Sequence, residues 1–246
     1  MFEVLDQVNP RRTYLSLLFC GRPSEADKMP LQPSTLHFFF SYTSASCARI
    51  RIAAHLKKIP LILHAIRTTG DSRETYPSSD PNHQVIASLT VNYTNGRQLT
   101  LTQSLTMLEY FEEVYPGEQR LLPPVTDMRP RVMARDLAHL IAGFEQGSQP
   151  LSRVSRELPD GDAGRDSWQA LNISRCLDMY ERTVKNSAKR YSLGDELSIA
   201  DVCLVPLVQS GEYMGLQTDH WRSVDSIVAE CRKIDAFREV TLQARR

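Results

Sequence analysis

The chain has 246 residues, room for one or two domains with a real core and a closed pocket. It is 41% hydrophobic and 24% charged, which excludes a disordered chain. Its 29 Lys plus Arg balance 29 Asp plus Glu, so no net field draws it to nucleic acid or an acidic membrane, and neither is read as a partner.

Five cysteines (Cys20, Cys47, Cys176, Cys203, Cys231) are odd in number, scattered and without a CxxC pair, as expected of thiols in a reducing, cytoplasmic setting. The early apolar run from Tyr14 to Cys20 falls far short of the roughly 18 to 20 residues of a bilayer span. Arg11 and Arg12 precede that run as in a secretory leader. Glu3 and Asp6 stand before them, however, and no clear small-residue cleavage site follows, so a signal peptide is not expected.

Residues 1–34, punctuated by Pro10, Pro23, Pro30 and Pro33, read as an extension. Leu36 to Tyr42 is an aromatic-rich buried strand, Ser46 to Lys58 a helix stopped by Pro60, and Leu61 to Ile66 a second strand, parallel to the first through a right-handed crossover. After a polar loop from Arg67 to Asn82, Ala87–Tyr93 and Gln98–Leu101 flank Asn95-Gly96, which predicts an antiparallel hairpin with a type I′ turn. Gln103 to Tyr115 follows as a helix that ends at Pro116-Gly117.

Pro123 and Pro124 mark a linker over 117–129, and beyond Pro130 strand signals stop. Helices are predicted over Arg131–Gly143, Trp168–Ala188 and Ser198–Met214, with Trp168, Leu171, Tyr180 and Val184 in phase. The fold class is an α/β domain of order βαβ-ββα over 35–116, followed by an all-α domain over 130–246.

Two strand-to-helix junctions carry the chemistry. At the first, Ser44 and Ser46 put hydroxyls where unpaired amides and the positive helix end stabilise an anion by about 0.3 to 2 kcal/mol. The plainer reading is that either serine caps the helix. At the second, Ser104 caps the next helix or presents its amides to a carboxylate, with Gln103 adding donors. Two such junctions at the carboxyl ends of strands point to a small anionic cofactor. Cys47 is either a thiol with a pKa lowered by the helix end or a small packing residue. Cys176 and Cys203 read as core, Arg49 as a brace at the domain interface, and the six histidines as having no metal-ligand spacing.

This element order, with Ser44 to Ala53, Leu-Thr-Gln-Ser-Leu (101–105), Leu-Glu-Tyr-Phe-Glu-Glu (108–113), Gln149-Pro-Leu (149–151) and the run from Gly194 to Pro206, resembles the zeta class of glutathione transferases, which includes maleylacetoacetate isomerase. The resemblance spans roughly residues 36–240, and its Ser198 and Asp201 stand in capping-box spacing. It implies a thioredoxin-like domain that binds glutathione, an all-helical substrate-side domain, and a homodimer. It implies that Ser44 donates to the glutathione sulfur, that Gln103 and Ser104 hold the γ-glutamyl carboxylate, that Ile86 pairs backbone with the cysteinyl moiety, and that Gln149 stands at the cofactor's edge.

Departures from the family pattern matter as much. Ser46 occupies the family's thiol position and Cys47 follows it, which puts any thiol side reaction in doubt. Ala87 stands where the family has a cis proline; a cis bond there would cost about 3 to 4 kcal/mol, so a trans bond and a reshaped loop are expected. Thr43 and Tyr213 stand where the family meets a dicarboxylate with arginines. Losing charge-assisted bonds of about 1.5 to 3 kcal/mol each favours a neutral, larger or more aromatic unsaturated substrate. The implied activity is glutathione-dependent cis/trans isomerisation of a conjugated double bond in secondary metabolism by reversible thiolate addition. Maleylacetoacetate isomerisation, glutathione conjugation and non-catalytic glutathione binding remain open alternatives.

Overall fold

The computed structural model describes residues 32–66, 87–117, 119–154 and 161–244, without the side chains of 147–154, 161–163, 165, 166 and 241–244. The aromatic run forms strand β1 (Pro33–Phe40), whose Leu36, Phe38 and Phe40 face the core while His37 and Phe39 face outward. It pairs in parallel with β2 (Ile62–Ala65) and antiparallel with β3 (Ser88–Tyr93), which pairs antiparallel with β4 (Gln98–Leu101), giving the sheet order β2-β1-β3-β4. Helix α1 (Ala45–Leu56) makes the crossover between β1 and β2, and α2 (Ser104–Val114) follows β4. The predicted βαβ-ββα order is therefore present.

One boundary shifts. Pro33 and Ser34, assigned from sequence to the extension, already belong to β1, because Pro33 pairs with Tyr93 and Ser34 Oγ donates to the Asn92 carbonyl. The predicted type I′ turn is also corrected. Tyr93 N–H donates to the Arg97 carbonyl across a three-residue loop, and only Gly96 takes positive φ (+80°), whereas a type I′ turn needs two such residues.

The helical part comprises α3 (Met128–Val154), α4 (Gly161–Val184), α5 (Ile199–Tyr213), α6 (Arg222–Cys231) and α7 (Asp235–Ala244). Helix α3 runs through Gly143, where the sequence reading ended it. A glycine costs only about 1 kcal/mol in a helix, less than the contacts made by Ile141, Phe144 and Glu145 around it. In α4 the buried face is Ile173, Cys176, Leu177, Tyr180 and Val184; Trp168 and Leu171, read as in phase with it, are instead exposed. Ser198 caps α5, with Asp201 closing the expected capping box. No helix among the described residues is long and apolar enough to cross a membrane.

Helix α1 is the hinge of the arrangement. Residues Cys47 to Ala54 are all buried, since the helix packs against α2, α5 and α7 and shares one core with the strands. Such a helix should be apolar all round, yet it carries Arg49 and Arg51, so both cations need partners inside the protein. Arg51 lies over the Phe40 and Tyr42 rings at 5.2 and 5.3 Å. Arg49 reaches the helical part of the chain.

Candidate functional site

The turn after β1 is tied together by short polar groups. Ser44 takes extended backbone (φ −89°, ψ 121°), caps α1, and its Oγ accepts from the Cys47 N–H at 3.3 Å. Its own N–H donates to the Ser41 carbonyl at 3.3 Å, and the Ser41 and Thr43 hydroxyls lie 3.1 Å apart. Ser44 is half-buried and Thr43 exposed. A cap and a hydroxyl at the positive end of the helix are thus the same group. Ser46, half-buried inside the first turn, lies near enough to Glu145 to favour its ionised form.

Cys47 is a packing residue. It is fully buried, its Sγ accepts from the Ser41 N–H at 3.4 Å, and burial pushes the thiol pKa up against the hydrogen bonds and the Arg51 charge that favour the thiolate. The reading of a lowered pKa fails because desolvation outweighs the field of the helix end. Cys176 and Cys203 are buried as expected, their thiols pushed up to about 12 and about 11 by burial.

At the second junction the cap lies one residue earlier than predicted. Gln103 (φ −109°, ψ 124°) is the N-cap of α2 and makes no side-chain bond to the helix. Ser104 is its first helical residue, buried, and its Oγ accepts from Arg49 Nη1 at 3.3 Å. Gln103 Oε1 accepts from Gln146 Nε2 of α3 at 3.2 Å. The first amides of α2 are left with no side-chain cap, and beside them lie a buried hydroxyl and an exposed carboxamide. That is a donor set suited to a carboxylate.

Arg49 joins the two junctions. It is fully buried, its Nη2 lies 2.5 Å from Glu145 Oε2, and its Nη1 holds Ser104. Burial raises the Glu145 carboxyl pKa, opposed by Arg49 and by the Ser46 hydroxyl, while the Glu145 charge and hydrogen bond keep the Arg49 pKa raised despite its burial. The predicted interface brace is present. Its partner Glu145 was missed, although a cation in a wholly buried helix calls for a carboxylate.

The remaining predicted residues are less closely joined. The α5 N-terminus is pinned to the linker by Ile199 N–H donating to the Leu121 carbonyl at 2.7 Å, and Lys57, just past the end of α1, reaches the same linker at Gln119 O. Cys203 of α5 lies within electrostatic reach of Arg49. Helix α5 packs against α1, and its last residue, Tyr213, is exposed. Ala87 adopts φ +49°, a conformation costing about 1 to 2 kcal/mol for a residue with a Cβ, in keeping with a reshaped loop. Ile86, and with it the bond to Ala87, lies outside the described residues. Gln149 lies in α3 but its side chain is outside them too. Among the described residues no three His, Cys, Asp or Glu side chains converge as metal ligands.

No family profile matches the sequence. The chain is 32% identical over 203 residues to maleylacetoacetate isomerase of Mus musculus, covering 80% of this chain and 88% of the relative. The chain belongs to the maleylacetoacetate isomerase family. Among solved structures, the maleylacetoacetate isomerase of Anaeromyxobacter dehalogenans 2CP-1 with glutathione in its active site is 27% identical, with a TM-score of 0.72 over 85% of this chain and 96% of that one. A bacterial maleyl pyruvate isomerase, a zeta-class glutathione transferase, is 26% identical with a TM-score of 0.72 over 84% and 96%. A thioredoxin-like domain followed by an all-helical one, the glutathione transferase fold, is thus the fold of this member of the family.

Proposed function

We propose that the chain is a glutathione-dependent cis/trans isomerase of a conjugated carbon-carbon double bond in a neutral or aromatic intermediate of secondary metabolism. In this it resembles the trans-to-cis isomerase of the pseurotin pathway. The observation that carries the reading is the buried Arg49 of α1 holding Ser104 at the start of α2, beside the uncharged, exposed Thr43 and Tyr213 at the family's arginine positions.

The chain's own groups fit the cofactor. Ser104, the uncapped amides of α2 and Gln103 take the γ-glutamyl carboxylate. Ile86 adds its backbone to the cysteinyl part and Gln149 closes the cofactor's edge. Ser44, with Ser46 one turn position on, holds the sulfur side; its oxygen already accepts from Cys47 N–H, which makes its hydroxyl a better donor. Bound glutathione supplies a thiolate that adds reversibly to one end of the double bond, so that the bond rotates before the thiolate leaves. Tyr213 and Thr43 orient the substrate and offer hydroxyl donors where a carbonyl oxygen gains charge.

The names of the relatives favour maleylacetoacetate as a second reading of the substrate. Against it stand the two uncharged side chains at the family's arginine positions. We further read the protein as a cytoplasmic homodimer that divides near residues 117–129. The test is incubation with glutathione and candidate enones, followed by chromatography and mass spectrometry. A shifted peak of unchanged mass supports isomerisation, and a mass raised by one glutathione means conjugation. Turnover without glutathione, or efficient turnover of maleylacetoacetate, overturns the reading.

A further inference from the structure

We infer that the buried Arg49, held by Glu145, sets the hydrogen-bond polarity of Ser104, making its hydroxyl a donor toward the α2 junction. This rests on the proposed glutathione site. A guanidinium can only donate, so the Ser104 oxygen that receives Arg49 Nη1 must send its own proton elsewhere. Arg49 thus turns the Ser104 proton toward the place the ligand's carboxylate is proposed to take.

Stability alone does not account for the pair. Arg49 Nε and Nη2 and Glu145 Oε1 are buried with no hydrogen-bond partner, although Nη2 and Oε2 are in ionic contact. A buried pair so poorly satisfied is commonly no more stabilising than apolar residues of the same volume. What distinguishes it is its aim. From α1 and α3 it reaches the first residue of α2, and Gln146, next to Glu145, holds Gln103 at the same junction. Arg49 is a positioning residue that acts through Ser104, and Glu145 holds Arg49 in place.

The test is a double-mutant cycle on glutathione affinity by titration calorimetry, using Arg49→Met and Ser104→Ala alone and together. Because Arg49→Met strands a buried carboxylate and can unfold the chain, Arg49→Met with Glu145→Leu is measured beside it, and circular dichroism establishes that each variant is folded. Removing the polarity-setting cation should weaken glutathione binding about tenfold, the size of about 1.4 kcal/mol. In the Ser104→Ala background the same change should cost less than about twofold, since the hydroxyl through which it acts is gone. Arg49→Lys, which restores a donor, should recover most of the affinity. Additive losses, or a folded Arg49→Met/Glu145→Leu protein with unchanged affinity, overturn the inference while leaving the glutathione site standing. A wild-type protein that binds no glutathione removes both.

Discussion

Replacing Ser44 by alanine separates two roles carried by one oxygen. Its Oγ caps α1 by accepting from the Cys47 N–H at 3.3 Å, so the substitution should lower stability by about 1 kcal/mol, or roughly 2 to 4 °C in Tm for a chain of this size. In the complex the same hydroxyl donates to the glutathione sulfur. A hydrogen bond to a charged group contributes about 1.5 to 3 kcal/mol, and one pKa unit is about 1.36 kcal/mol, so the bound thiol should rise by about 1 to 2 units. Below both midpoints the thiolate share then falls about 10- to 100-fold, and the isomerisation rate with it. The assay is a titration of ultraviolet thiolate absorbance in protein saturated with glutathione, with Ser44→Thr as the control that keeps a hydroxyl. If the midpoint moves by less than about 0.3 unit while Tm drops as calculated, Ser44 is a cap and nothing more. The activation role would then pass to the helix end itself or to Ser46.

Three further outcomes follow from particular contacts. Cys47, Cys176, Cys203 and Cys231 are buried, their thiols raised by desolvation, so an aromatic disulfide reagent at neutral pH should leave all four unlabelled in peptide maps until denaturant is added. His64, whose Nε2 lies 3.0 Å from His37 Nδ1, is lowered from its ordinary 6.5 by burial and then by the charge of His37. The fold therefore favours its neutral ring; the stability this gives is complete above 6.5 and is lost as pH falls toward the folded midpoint, so Tm should fall less on acidification in His64→Gln than in wild type. Gly211 sits where a Cβ would meet Leu216 Cδ1 at 3.1 Å and Ile173 Cγ2 at 3.2 Å. Gly211→Ala should be near neutral, crowding offsetting about 1 kcal/mol of helix propensity, whereas Gly211→Val should lose about 1 to 3 kcal/mol in thermal melts.

The N-terminal half was legible because its signals are local. An aromatic run, a proline after the helix and Asn-Gly between two β-rich runs each mark one element, and β1, α1 and the β3–β4 hairpin follow them closely. Helices α6 and α7 left a readable signal that was not taken up: Val224, Ile227, Val228 and Cys231, then Ala236, Phe237 and Val240, recur at helical spacing and are all buried. The second half of α3 left none. Gly143, Gln146 and their polar neighbours read as a loop, and only tertiary contact keeps them helical. The cap of α2 was misplaced by one residue, since local chemistry favours Ser104 as the cap whereas the helix already includes it.

That failure locates where the site is specified. Each serine at the helix starts could be named from its neighbours, but the polarity of Ser104 depends on Arg49 and, through it, on Glu145, which belong to different helices and meet only in the folded chain. A hydroxyl is an ambivalent hydrogen-bonding group, and a guanidinium, which can only donate, removes the ambiguity at Ser104. The helix that supplies Glu145 also supplies Gln146 to Gln103 and carries Gln149 further along. Helix α3 thus holds in place the cation that sets the polarity of a site whose backbone belongs to the thioredoxin-like part. A substitution that shortens it at Gly143 should therefore disturb glutathione binding before it disturbs the sheet.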